Sequence, residues 1–342
     1  MIPKGACWVR VNRFFGDAMM SYAAIEPLRR AGLPLVVWGP ASTVDLFEGS
    51  ANVVATVAEP GRKYGIWEAA RMLREHRPAA VIGFPKSARP HLAALLARVP
   101  LRLGCGDGGV SLLLTHSVPF YQRDDHFVER YASTVTGAFP QLGPLGFTPF
   151  QPREQAFEAC EEQAKAVGFD GSYAVLAPGA NSQSKRLSIP LFTALGRRLE
   201  ALGLRVVVLG AGAEDRRLAG ELSAELPGAL NLVDRCSLSL SAAWICGAQA
   251  LVGMDSGLAH IAGGAGIPTL AVFGPTRPRH SRPWGPRVRV LRHETLPCLE
   301  CMEGYCPLPD HPCMTQVPVE TIWKALFAGL SSGPDLGTKP EG

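Results

Sequence analysis

Three short polar segments and one cluster of cysteines carry the residue types in this chain that could do chemistry. Pro178-Gly179-Ala180-Asn181-Ser182-Gln183-Ser184-Lys185-Arg186 is polar and ends in two cations, a composition that suits a diphosphate. It lacks the spacing of a Walker loop or of G-x-G-x-x-G, so on spacing alone it reads equally well as an ordinary strand-to-helix connection. Met254-Asp255-Ser256-Gly257-Leu258-Ala259-His260 opens a small-residue helix. Ser256 and Gly257 fall at its start, where unpaired amides and the positive end of the helix dipole favour phosphate oxygens. Asp255, just before them, could accept hydrogen bonds from sugar hydroxyls, and His260 faces the same mouth one turn later. The plainer reading is that Asp255 or Ser256 caps the helix and His260 is a satisfied buried histidine.

Near the N-terminus, Asn12-Arg13-Phe14-Phe15-Gly16-Asp17 follows the first apolar run. It lacks the glycine fingerprint that lets a pyrophosphate approach, which disfavours a nicotinamide-dependent oxidoreductase. Asp17 stands at a loop-to-helix junction, where a carboxylate could be a general base or could simply stabilise the helix start. The cysteines run Cys298-x2-Cys301-x4-Cys306-x6-Cys313. Four thiols so close could hold a structural zinc, although the second pair is spaced more loosely than in common zinc ribbons. Free thiols and disulfides are the other two states the spacing allows.

The elements that must position these segments alternate short apolar strands with amphipathic stretches, the pattern of parallel sheets covered by helices. Expected strands lie at 6–11, 35–38, 53–57 and 80–84, and again at 173–177, 205–210, 230–233, 250–253 and 269–273. Helix-like stretches at 18–31 and 66–75 separate strands of the first half. A Pro/Gly-rich stretch at 139–152 breaks the pattern and reads as a linker, giving domains 1–150 and 151–330 and a disordered tail 331–342. With 342 residues, 47% of them hydrophobic and 19% charged, the chain can build two cores. A net charge of +4 is too weak to indicate nucleic acid. Arg277, Arg279, Arg282, Arg287, Arg289 and Arg292 crowd one segment, which reads as solvated surface or as the rim of a site for an anionic ligand. No signal peptide precedes the first strand and no apolar run is long enough to span a bilayer, so a cytoplasmic protein with at most peripheral membrane contact is expected.

Taken together, the motifs resemble glycosyltransferase family 9, the lipopolysaccharide heptosyltransferases. The resemblance rests on Pro178-Gly179 with Lys185-Arg186, Asp255-Ser256-Gly257 with His260, and Phe273-Gly274-Pro275-Thr276, in that order. In the first half it rests on Gly16-Asp17 and on His126 with Val128-Glu129-Arg130-Tyr131. The resemblance implies an α/β GT-B architecture, two Rossmann-like domains facing each other across a cleft that closes over both substrates. It implies an inverting transfer of heptose from ADP-heptose to an anionic lipopolysaccharide inner-core acceptor, with Asp17 as base and Lys185 stabilising the leaving diphosphate in place of a metal. Gly179, Ala180, Asn181, Ser182, Arg186, Glu214, Asp255, Ser256, Gly257 and His260 would bind the donor, and Lys86, Arg89 and Arg130 the acceptor. No cofactor is then required for chemistry. A GT-B-like sugar-nucleotide epimerase and a non-catalytic nucleotide-sugar binder are the competing readings.

Overall fold

The computed structural model describes residues 2–61, 65–84, 88–120 and 124–330, so Lys86 and the expected tail 331–342 lie outside the described residues. The chain forms two compact units. The first comprises Met1–Glu161 with Leu238–Ala243 and Arg279–Trp284; the second comprises Glu162–Ser237, Trp244–Pro278 and Gly285–Gly342.

The first unit is built on β1 (Cys7–Arg10), β2 (Leu35–Pro40), β3 (Val53–Glu59), β4 (Ala80–Gly83), β5 (Leu101–Cys105) and β6 (His116–Val118), in the order β3-β2-β1-β4-β5-β6. Every pairing is parallel. The period-two pattern of the strands sends Trp8, Val36, Trp38 and Val81 to one face. There they pack with Ala69, Ala70 and Leu73 of the helix Ile66–His76 and with Ala93 and Ala94 of the helix Ala88–Leu96. The expected helix at 18–31 is two helices, Phe15–Ala24 and Glu26–Arg30, because Pro27 can open a helix but not continue one.

The second unit repeats the plan with β7 (Tyr173–Ala177), β8 (Arg205–Val208), β9 (Leu230–Asn231), β10 (Ala250–Met254), β11 (Thr269–Phe273) and β12 (Val288–Arg292). Its order, β12-β11-β10-β7-β8-β9, is the same walk as in the first unit, again wholly parallel. Leu176, Val208, Val252, Met254 and Val272 share one buried face with Phe192 and Leu195 of the helix Ile189–Ala201 and with Ile322 and Leu326 of the C-terminal helix Val319–Leu330. Each such fully buried side chain contributes about 1.5–3 kcal/mol. Cys313 and Met314 join this core, so the cysteine segment is anchored to the sheet.

The stretch 139–152 lies within the first unit rather than between units. Arg30 donates to the carbonyls of Leu142 and Pro144, at 2.9 and 3.0 Å. Glu26 accepts from the Gly146 amide at 2.9 Å and the Thr148 hydroxyl at 3.0 Å, and Phe150 packs edge-on to Tyr22 and Phe47. Bonds to charged groups are about twice as strong as neutral ones, so this Pro/Gly-rich stretch is held in place.

Candidate functional site

In open parallel sheets ligands bind beyond the carboxyl ends of the strands, where the strand order reverses. In the second unit that point lies between β7 and β10. The loop 178–186 follows β7 and Asp255-Ser256-Gly257 follows β10. The structure brings their key side chains together: Lys185 Nζ donates to Asp255 Oδ2 at 2.6 Å, and the pair is mostly buried, with side chains 21% and 9% exposed. Thr276, from the turn after β11, donates its hydroxyl to the same oxygen at 2.8 Å. Asp255 is thereby fixed in orientation by two donors arriving from different strands.

Ser256 occupies the N-cap position of the helix Gly257–Gly264 in extended backbone, but makes no side-chain capping bond. Its Oγ is buried without any hydrogen-bond partner. A buried hydroxyl left unmade costs about 1–3 kcal/mol, so a ligand oxygen arriving here gains a donor already desolvated, beside the free amides of the helix start. His260 is 4% exposed, and its Nε2 lies 3.9 Å from Asp255 Oδ1, outside hydrogen-bonding distance. Burial, partly offset by the Asp255 carboxylate and reinforced by Lys185, lowers its pKa to about 4. It is a neutral ring behind Asp255 rather than a group at the mouth.

The rest of the loop is braced from below. Arg186 donates through Nη2 and Nε to the Ala180 carbonyl at 2.9 and 3.2 Å, and through Nη1 to Glu214 at 3.2 Å. Glu214 also accepts from Arg217, which, with Arg186, holds its carboxyl below the usual range. Asp215, a residue the sequence does not single out, accepts from the Ala211 amide at 2.9 Å. A Cβ on Gly179 would fall 2.2 Å from its carboxylate, so Gly179 makes room for Asp215. Asn181 is exposed and Ser182 half-buried at the crest of the loop.

In the first unit Asp17 lies in the first turn of the helix Phe15–Ala24, after β1 and half-buried. Burial, with the charge of Asp17 added, pushes the Tyr131 phenol up. Arg10, at the end of β1, pairs in a fork with Glu59 at the end of β3, both bonds 3.0 Å. Arg89 is exposed in the first turn of the helix Ala88–Leu96. Arg130 does not fit the role of an acceptor cation. It is 2% exposed, donates to the Asp125 carboxylate at 2.9 Å and to the Phe120 carbonyl, and lies over the rings of Phe120 and Phe127. Its neighbour His126 caps the helix Phe127–Ala138 in a capping box with Glu129, accepting from the Val128 amide at Nδ1 and donating from Nε2 to the Arg282 carbonyl at 2.9 Å. The motif 126–131 is thus a builder of structure.

Three of the six arginines in the arginine-rich segment are paired. Arg277 pairs with Glu300, Arg279 with Asp124, and Arg292 with Glu294 and Glu300. Arg289 and Arg292 lie on the edge strand β12, where charge discourages pairing with another chain. The four clustered cysteines line one small pocket with His311. None of the nine cysteines forms a disulfide, and among the described residues no group of three or more His, Cys, Asp or Glu is placed to hold a metal ion.

Two Rossmann-ordered sheets, one carrying a buried lysine–aspartate pair at a helix N-terminus, are the architecture of a two-unit α/β glycosyltransferase. The profile of glycosyltransferase family 9 (heptosyltransferase) matches residues 66–311, and the chain belongs to that family. It is 33% identical over 134 residues to lipopolysaccharide heptosyltransferase 1 of Pseudomonas aeruginosa, a match spanning 39% of this chain and only 37% of that relative. Against lipopolysaccharide heptosyltransferase 2 of Salmonella typhimurium it is 27% identical, over 84% of this chain and 86% of that one. The structure of Escherichia coli ADP-heptose lipopolysaccharide heptosyltransferase II shares the fold, with a TM-score of 0.77 at 23% identity, over 95% of this chain and 98% of that chain.

Proposed function

We infer that this protein is an inverting heptosyltransferase that moves heptose from ADP-heptose to an anionic lipopolysaccharide inner-core acceptor. The observation that carries the reading is the group at the second switch point: Lys185 paired with Asp255, Thr276 on the same carboxylate, and the unpartnered Ser256 hydroxyl at a helix start. A diphosphate entering there takes Lys185 from Asp255 and accepts from Ser256 and the helix amides, freeing Asp255 for sugar hydroxyls. Lys185 then stabilises the charge that develops as the nucleoside diphosphate leaves, the task a divalent ion performs elsewhere. Asp17 takes the acceptor hydroxyl proton as that oxygen attacks the anomeric carbon.

Because the acceptor on this reading is a glycolipid, the protein works at the cytoplasmic face of the membrane. No helix of the described residues is long and apolar enough to cross one, and Trp67 and Leu112, 72% and 83% exposed in the first unit, suit peripheral contact. The test is direct assay of heptose transfer from ADP-heptose to a heptose-deficient inner core, with chelator present. Transfer with inversion supports the reading. Consumption of donor without acceptor, giving an epimerised sugar, would replace it with the epimerase reading.

A further inference from the structure

The donor loop does not stand on its own strand alone; the cysteine segment grips it from behind. His311 Nε2 lies 2.6 Å from the Ser184 carbonyl oxygen, and because a carbonyl only accepts, Nε2 carries the proton. The Ser184 hydroxyl donates to the Glu303 carbonyl at 2.7 Å, and the Ser184 amide to the Gly304 carbonyl at 3.4 Å. All three polar groups of Ser184 are therefore taken by one segment, 119 to 127 residues away in the chain. Ser184 is the centre of the 3-10 turn Gln183–Lys185, so the clasp fixes the turn that delivers Lys185 to Asp255.

The gripping segment is held in an unfavourable shape. Glu300, Met302 and His311 all have left-handed backbone, with φ of 61°, 61° and 45°. For residues other than Gly, Asn and Asp this conformation costs roughly 1–2 kcal/mol each, and it persists where surrounding contacts over-determine it. Below the clasp the four clustered cysteines supply a lining of small side chains, and Cys313 and Met314 seat the segment in the sheet core.

We propose that His311 is a positioning residue for donor use: its imidazole N–H, through the Ser184 carbonyl, sets the place of Lys185. This rests on the reading of 178–186 as the donor diphosphate loop. The test compares His311→Asn and His311→Gln, with Lys185→Ala beside them, by donor KM, kcat and thermal midpoint. Asparagine tolerates left-handed backbone but its amide is too short to reach Ser184, whereas glutamine offers an N–H at comparable reach. His311→Asn raises donor KM by roughly 10-fold, the scale of one buried hydrogen bond, with at most a small fall in midpoint because asparagine relieves the left-handed strain, while His311→Gln stays within about 3-fold of the parent. A wild-type donor KM in His311→Asn overturns the positioning role, as does equal impairment of the two variants. If Lys185→Ala leaves donor KM unaltered, the donor-loop reading itself falls; if Lys185→Ala raises it and His311→Asn does not, only the role of His311 falls.

Discussion

The two sheets share one strand order but equip their switch points differently. At the second, the donors and acceptors are assembled by side-chain bonds in advance: Lys185 and Thr276 on Asp255, Arg186 on Ala180 and Glu214, His311 on Ser184. At the first, the carboxylate of Asp17 sits in a helical turn beside buried aromatic surface, and the nearby cation Arg10 is already matched by Glu59. A site that binds a charged, compact group profits from preorganised charge, because its donors need no reorganisation when the ligand arrives. A site that accepts one proton needs a carboxylate within reach of the acceptor hydroxyl. On the proposed function, donor binding falls to the second unit and proton transfer to the first.

Four variants and a pH titration would break or sharpen that division. Asp17→Asn keeps shape but cannot take a proton, so transfer falls by roughly 10²–10⁴-fold, measured as kcat on saturating donor. A helix-stabilising role alone would leave transfer nearly intact. Lys185→Ala removes a charge-assisted contact, weakening ADP-heptose binding by roughly 10–100-fold in calorimetry, whereas an unchanged affinity would move the diphosphate elsewhere.

Each unit also buries a histidine whose pKa is lowered by burial. His91, seated over Gly83 and Gly104, is fully buried with neither ring nitrogen hydrogen-bonded, and burial followed by the charge of Arg10 lowers its pKa to about 4, as for His260. Since both folded values lie below the ordinary 6.5, the unfolded chain binds more protons between them. Stability is full above about pH 6.5 and is lost as pH falls towards 4, by about 2 kcal/mol per histidine at pH 5. Urea midpoints should show this loss, and His91→Leu should reduce it, since no hydrogen bond is broken; a pH-flat wild type would contradict the assignment. The smallest effect is that of Ser256→Ala, which should raise donor KM by about 5-fold without lowering the thermal midpoint, because its hydroxyl has no partner in the unliganded protein.

What the sequence reveals follows the distance over which each feature is determined. Strands such as β1, β7 and β10 are local apolar runs and stand out, as do Lys185 and Asp255 in the loops that follow β7 and β10. Strands β5 and β12 escape notice because Arg102, Arg289 and Arg292 interrupt their apolar pattern, which is tolerable where an arginine stem packs and its head reaches solvent or a partner. Thr276 stands in a motif that carries the family resemblance, but its role, like that of His311, is not legible because it depends on a partner met only after folding: Thr276 and Asp255 are 21 positions apart, His311 and Ser184 127. Arg130 shows the converse, a cation in a promising motif whose charge is consumed by Asp125 and neighbouring carbonyls.

The division of labour is tested most directly by the dissociation constant of ADP-heptose for Asp17→Asn. The account predicts a value within about 2-fold of the parent, with transfer nearly lost, because the donor is held by the second unit and Asp17 acts only on the acceptor proton. A rise of roughly 10-fold or more in that constant would place Asp17 in the donor site and contradict the assignment of the two switch points.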